Sequence, residues 1–311
     1  MGELKILITG GMGLIGSEFI KEFFPYYNII VIDSRKNIFN EGIKITYIQD
    51  SINNISKYKN ALANLDGVIH LAAKSRVLDG ELEPLETWET NVLGTQKIIE
   101  FLYESETRPW IIYGSSREVY GVQKSLPVKE NASKKPMNRY AISKFAAEHL
   151  LSEYSKNNRS SVFIMRFSNV YGSTNDYSDR VIPIFVKNAI LNKNLIIEGK
   201  NNLFDFTFVK DVVFALSNAI RNLSNREVNT SLCNDYNICF GEGKSLDELA
   251  GIILSIIPSS SKKEYRKSRD FDVQKFIGSN QKAKKEIEFN PLINLEEGLK
   301  LYIDLIINKS S

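Results

Sequence analysis

In the run Tyr140-Ala141-Ile142-Ser143-Lys144 a phenol and an ammonium stand four positions apart, which on a helix puts them one turn apart on a common face. Such a pair can move a proton. A free tyrosine ionises near pH ~10, too high for a base at neutrality. One positive charge at ~4 Å, in surroundings of effective dielectric ~20, is worth ~4 kcal/mol, or about three pKa units. Lys144 can supply that charge, and Tyr140 then becomes a base for a hydroxyl proton. A surface tyrosine and lysine without chemistry have the same spacing, so the pair takes its meaning from the rest of the chain.

Near the amino terminus, Thr9-Gly10-Gly11-Met12-Gly13-Leu14-Ile15-Gly16 follows an apolar run and opens an amphipathic stretch. Gly10, Gly13 and Gly16 allow a tight turn, close approach of backbone to a pyrophosphate, and close packing of helix on strand. Where the helix starts, at Leu14 and Ile15, backbone N–H groups are unpaired and the positive dipole end faces the anion. Asp33, about twenty residues on at the end of a second β-branched run, can accept hydrogen bonds from an adenosine ribose and repels the extra phosphate of NADP. The pattern predicts a bound dinucleotide, NAD in preference to NADP. Arg35 is either a partner for that extra phosphate or a solvated loop arginine. Asp50, closing a third run, is either an acceptor for the adenine amino group or a loop cap.

These residues need a scaffold that brings them to one edge, and the sequence alternates in the required way. Short β-branched runs at Lys5 to Thr9, Ile29 to Ile32, Ile45 to Ile48, Gly67 to Leu71, Trp110 to Tyr113 and Ser161 to Arg166 read as strands. Between them Ile15 to Phe24, Glu86 to Glu104 and Asn138 to Lys156 carry apolar residues at helical spacing. The alternation predicts an α/β fold, a Rossmann-type doubly wound parallel sheet, over residues 1–166. Residues 167–311 read as a smaller, mixed α/β carboxy-terminal lobe for substrate, with later segments free to return to the first domain. Helices are expected at Val181 to Leu191, Asp211 to Asn222, Leu246 to Ile257 and Leu295 to Ile307, and Ser259 to Asp272 reads as a mobile surface segment.

Composition narrows the function. With 43% hydrophobic and 25% charged residues in 311, the chain is neither disordered nor membrane-rich in character. Its 40 basic and 37 acidic residues are interspersed, which excludes a general nucleic-acid footprint. The start of the chain reads as a strand rather than a leader or membrane anchor, so a cytoplasmic protein is expected. Cys233 and Cys239 read as structural filler, and with only His70 and His149 available neither a metal site nor a Ser-His-Asp triad is supported.

One more motif, Tyr113-Gly114-Ser115-Ser116-Arg117-Glu118-Val119-Tyr120-Gly121, ends a predicted strand at the carboxyl edge where such sheets bind ligands. Together with His70-Leu71-Ala72-Ala73, Asn91-Val92-Leu93-Gly94-Thr95, Arg166-Phe167-Ser168-Asn169-Val170-Tyr171-Gly172 and Phe206-Thr207-Phe208-Val209-Lys210-Asp211-Val212, it resembles the extended short-chain dehydrogenase/reductases, in particular the NAD-dependent nucleotide-sugar epimerases and dehydratases. The resemblance runs over essentially the whole chain. It implies that Ser116 hydrogen-bonds the reacting sugar hydroxyl, that Tyr140 removes its proton while hydride passes from sugar carbon 4 to NAD, and that Lys144 holds the cofactor ribose. It further implies that Leu71, Ala72 and Ala73 lie along the cofactor, and that Asn169 and Arg269, the latter with Asp272 in an Arg-x-x-Asp pattern, grip the substrate diphosphate.

The same resemblance leaves the reaction open. An acidic residue at the position of Glu118 is the carbon-5 base of the 4,6-dehydratases, some of which also carry an aspartate where this chain has Arg117. Arg117 weakens the subset with two acids, because a guanidinium cannot donate a proton near neutrality. A structural salt bridge accounts for Glu118 equally well. Phe204-Asp205-Phe206 stands where the family often has Arg-Asp-Phe, removing one expected phosphate partner. The leading expectation is 4-epimerisation of a nucleotide-diphosphate sugar. The alternatives are 4,6-dehydration through Glu118, a carbon-4 dehydrogenase or reductase, and a nucleotide-binding module without turnover. Family likeness also implies a homodimer joined through the helices at Glu86 to Glu104 and Asn138 to Lys156.

Overall fold

The β-branched runs become strands because alternate side chains have an apolar layer to enter on each face. The computed structural model describes residues 3–158, 160–226, 231–269 and 271–310. Its first part contains β1 (Lys5–Thr9), α1 (Leu14–Phe23), β2 (Asn28–Asp33), β3 (Thr46–Gln49), β4 (Gly67–His70), α2 (Val77–Leu82), α3 (Pro84–Trp88), α4 (Gly94–Tyr103), β5 (Trp110–Ser116), α5 (Arg139–Asn158) and β6 (Ser161–Phe167). There follow β7 (Asn169–Tyr171), α6 (Val181–Ile190), β8 (Leu195–Glu198), β9 (Leu203–Phe208), α7 (Val209–Ser224), β10 (Leu232–Ile238), β11 (Gly243–Ser245), α8 (Leu246–Ile256), β12 (Lys263–Arg266), α9 (Gln281–Ile287) and α10 (Leu295–Ser310).

Seven strands pair in the order β10-β6-β5-β4-β1-β2-β3, every pair parallel. Ile6 and Ile8 of β1 enter a core shared with α1 and α7, while Leu7 between them enters the opposite core beneath α4 and α5. The predicted α/β class and doubly wound sheet are therefore what the chain forms. The strand order reverses between β1 and β4, and the crevice at their carboxyl ends is where such sheets take ligands. β10, late in sequence, returns as the seventh strand. A third core unites α6, α8 and α10 with β8 and β9, beside a three-stranded sheet β11-β9-β7 and a two-stranded sheet β12-β8.

Two expectations need correction. Within the supposed mobile segment Ser259 to Asp272, Lys263 to Arg266 pair in parallel with Leu195 to Glu198; residue 270 lies outside the described residues. The charged side chains of β12 hid the strand, since only its backbone is needed to extend β8. The single helix expected over Glu86 to Glu104 is instead α3, a wider π-helical turn at Glu89–Leu93, and α4. Such turns are inserted where a helix must reorient a side chain, and this one carries the buried Asn91.

Candidate active site

The turn between β1 and α1 is packed against the segment after β4. Gly10 has φ of 72°, and a Cβ there would lie 2.6 Å from the Ala72 backbone nitrogen. A Cβ on Gly16 would lie 2.7 Å from the Gly10 carbonyl oxygen, so α1 seats on its own turn only through glycine. Gly13 caps α1 without a side-chain hydrogen bond, so the first N–H groups of the helix get no partner from the cap. An uncapped helix start above a glycine cradle fits a dinucleotide pyrophosphate, with the backbone of Leu71 and Ala72 against Gly10.

Asp33 ends β2 beside this turn. Its carboxylate accepts the Met12 N–H at 2.8 Å and the Arg35 N–H at 2.9 Å, and the Arg35 guanidinium meets both oxygens at 3.3 Å. Arg35 is thus tied to Asp33. Asp50 accepts from Ser51 N–H, Asn54 Nδ2 and the Tyr58 hydroxyl at 2.7, 2.8 and 2.7 Å. These bonds, the Tyr58 hydroxyl first, hold its carboxyl down at about 2. Ser51 caps the short 3-10 turn Ile52–Tyr58, and Asp50 braces that turn from outside through Asn54 and Tyr58.

His70 is a structural group. Its Nδ1 meets Thr9 Oγ1 at 2.7 Å and its Nε2 meets Thr95 Oγ1 at 3.0 Å. Since Thr95 gives its own proton to the Asn91 carbonyl, Nε2 is the donor and Nδ1 the acceptor. Burial, reinforced by the charge of Lys144, pushes the imidazole down to about 3, so it stays neutral.

The proton-handling residues converge where β5 ends and α5 begins. Ser116 closes β5, and its hydroxyl accepts the Glu118 N–H at 3.2 Å, starting a tight turn at Arg117–Tyr120. Asn138 starts α5 by accepting the Ala141 N–H at 2.8 Å, which sets Tyr140 in the first turn. The structure brings the two together: the Ser116 side chain acts on the Tyr140 phenol and draws its titration down. Burial raises that phenol to about 12, opposed by Ser116 and the Arg180 guanidinium; Glu118 pushes it up and Arg117 pulls it down.

Lys144 lies one turn further along α5. Its ammonium donates to the Gly114 carbonyl at 2.7 Å and sits 4.8 Å over the Tyr113 ring. Burial lowers it to about 7, with Glu148 opposing. The spacing predicted that Lys144 depresses the tyrosine pKa. In the structure the groups that chiefly oppose burial at Tyr140 are Ser116 and Arg180, because the lysine turns to a strand carbonyl instead.

Glu118 is buried and paired. Its Oε1 lies 2.8 Å from Arg117 Nη2, and its Oε2 accepts from Asn138 Nδ2 at 3.2 Å. Asn169, half-buried at the start of β7, stands in register with Phe206. Arg269 is half-exposed after β12, 2.8 Å from Asp272 and 5.4 Å over Phe271. The Phe271 carbonyl in turn accepts from Asn138 at 3.4 Å, which links the Arg269 segment to the wall of the site.

Three participants had no role in the sequence reading. Asn138 carries a signal after the fact, since asparagine before a helical run is a helix start. Asn91 was seen only as part of a motif; its Nδ2 donates to Ser143 Oγ at 2.9 Å, between Tyr140 and Lys144. Arg180 has no local signal, because the fold alone brings it to the phenol.

The model of the NAD dependent epimerase/dehydratase family matches residues 6–239. A protein of Methanocaldococcus jannaschii, provisionally named a UDP-glucose 4-epimerase, is 30% identical over 313 residues, covering 98% of this chain and 99% of that one. The dTDP-D-glucose 4,6-dehydratase of Mus musculus is 28% identical over 321 residues, covering 96% and 88%. The crystal structure of UDP-glucuronic acid 4-epimerase from Bacillus cereus, in complex with UDP-glucuronic acid and NAD, has a TM-score of 0.87 at 25% identity, covering 98% of this chain and all 100% of its own.

Proposed function

Because the chain belongs to the NAD-dependent epimerase/dehydratase family, we propose that it inverts carbon 4 of a nucleotide-diphosphate sugar. The cofactor of the family is NAD. When bound, NAD would supply a hydride acceptor and donor and, in its oxidised form, a positive charge. Tyr140 takes the proton of the carbon-4 hydroxyl and Ser116, whose side chain acts on that phenol, aligns the same hydroxyl. At about 12 the phenol is protonated at neutrality, so it acts as base only when further positive charge reaches it. Lys144 holds the cofactor ribose, and Asn169 and Arg269 grip the substrate diphosphate. With Phe204 in place of an arginine, that grip is left with fewer cations.

One observation favours epimerisation over dehydration: both oxygens of Glu118 are committed, to Arg117 and to Asn138. The dehydratase reading keeps one observation of its own, a buried carboxylate two residues from Ser116. NMR of products from a panel of nucleotide sugars separates the two. Inversion at carbon 4 is expected, and accumulation of only a 4-keto-6-deoxy sugar rules the epimerase out.

A further inference from the structure

Arg117 and Glu118 follow the serine that meets Tyr140, and both are buried. A buried carboxylate is costly unless its oxygens are paired, and here one faces a guanidinium at 2.8 Å and the other an amide at 3.2 Å. The guanidinium is itself anchored. It donates to the Val273 carbonyl at 3.4 Å and lies 5.0 and 5.5 Å from the ring centroids of Phe204 and Phe276. An arginine at position 204 would repel Arg117, whereas a phenylalanine gives its charge a π face. The departures at positions 117 and 204 thus form one construction, assembled from β5, β9 and the chain before α9.

That construction adjoins the reacting centre, since the Glu118 N–H donates to Ser116 Oγ at 3.2 Å and its Oε2 accepts from Asn138, which accepts the Ala141 N–H at 2.8 Å in the helical turn that carries Tyr140. Oxidation at carbon 4 leaves a ketone, which acidifies the hydrogens on the flanking carbons. A carboxylate with a free oxygen at this place would take the carbon-5 proton, leaving an enolate whose oxygen is on carbon 4 and returning the proton, or a solvent deuteron, to carbon 5. We infer that Arg117 holds Glu118 inert, so that hydride return at carbon 4 outruns enolisation at carbon 5. Arg117 is a positioning residue in this, acting through Glu118, and the inference rests on the carbon-4 oxidation proposed above.

The test uses the protein with NAD in D2O, with UDP-glucose and UDP-glucuronic acid as probes, and follows inversion at carbon 4 and deuterium at carbon 5 as separate NMR signals. Wild type is expected to invert carbon 4 while retaining hydrogen at carbon 5. Arg117→Ser and Arg117→Met should incorporate deuterium at carbon 5 at least about tenfold faster relative to carbon-4 turnover, less than a freely positioned general base contributes. Adding Glu118→Gln to Arg117→Ser should abolish the exchange. The methionine keeps an apolar stem against Phe204 and Phe276, and thermal melting establishes that it folds.

A readout independent of turnover is carbodiimide coupling of glycine ethyl ester to the protein alone, mapped by peptide mass. Glu118 should be protected in wild type and labelled in both Arg117 variants. Carbon-5 exchange that keeps pace with inversion in wild type overturns the inference without any variant. So does a folded Arg117→Met whose exchange and labelling match wild type. If wild type leaves carbon 4 of both sugars untouched, the epimerase reading fails, while the labelling still decides whether Arg117 shields Glu118.

Discussion

At the scale of single residues, Tyr140 and Lys144 are both held away from their ordinary titration by burial. Lys144 has a folded pKa of about 7 against an ordinary 10.5. Below about 7 both folded and unfolded chains carry its proton and the contribution is constant. Between about 7 and 10.5 only the unfolded chain does, so the folded state gains about 1.4 kcal/mol per pH unit as pH rises. Urea unfolding of wild type and Lys144→Met should therefore diverge in favour of wild type between pH ~7.5 and ~9.5, by roughly 1 kcal/mol per unit. Parallel curves would mean that the ammonium is not desolvated. Tyr140→Phe, which keeps the ring and removes the proton, should lose turnover by about 10³-fold or more while stability changes by no more than ~1 kcal/mol. Undiminished turnover would end the assignment of Tyr140 as the base.

The elements hold these residues through joints that are visible only in three dimensions. Asp205 in β9 is buried and accepts the N–H groups of Phe240, Gly241 and Gly278 at 3.0, 3.0 and 3.3 Å. It thereby ties β9 to the segments after β10 and before α9. Asp205→Ala leaves the Gly241 and Gly278 N–H groups without this acceptor, while Phe240 N–H keeps Thr207 Oγ1 at 3.0 Å, and a loss of roughly 2–4 kcal/mol is expected in chemical denaturation; a loss below ~1 kcal/mol would show that the segments are joined by other contacts. What the sequence made legible follows the same division. Local regularities were readable: the strand periods of β1 to β6, the glycine turn, the one-turn spacing of Tyr140 and Lys144. The Ser259 to Asp272 segment was misjudged because β12 takes its stability from β8, distant in sequence. The contact of Arg117 with Phe204 and Phe276 was likewise hidden, since no spacing rule connects three segments that meet only after the lobes are packed. Asp50 shows the limit at a single position, where the residue type admits a ligand contact or a loop contact and only the structure shows that Tyr58 and Asn54 occupy its carboxylate.

At the scale of the whole molecule, one group of packed helices leaves large apolar side chains exposed. Leu82, Leu85, Trp88 and Leu93, on α2, α3 and the π-helical turn, are 71, 79, 42 and 47% exposed, and Met137 and Ile142 beside and within α5 are 44 and 45% exposed. The helices that carry them pack on one another, so these side chains belong to neighbouring elements rather than to scattered loops. Soluble chains rarely leave large contiguous apolar surface in water, and helix faces of this kind suit a symmetric pair in which the same patch meets its copy. A homodimer through this face is the expected state in solution. Light scattering should give twice the mass of 35.4 kDa, and Leu85→Glu with Trp88→Glu, which buries like charges against each other in the pair, should return the mass to the monomer. A wild-type monomer at working concentration removes the expectation. Because Ile142 lies two residues beyond Tyr140 on the same helix, the dissociated variant should also lose thermal stability in α5 and with it part of its turnover, whereas a monomer as active as wild type would show that α5 is held by its own subunit alone.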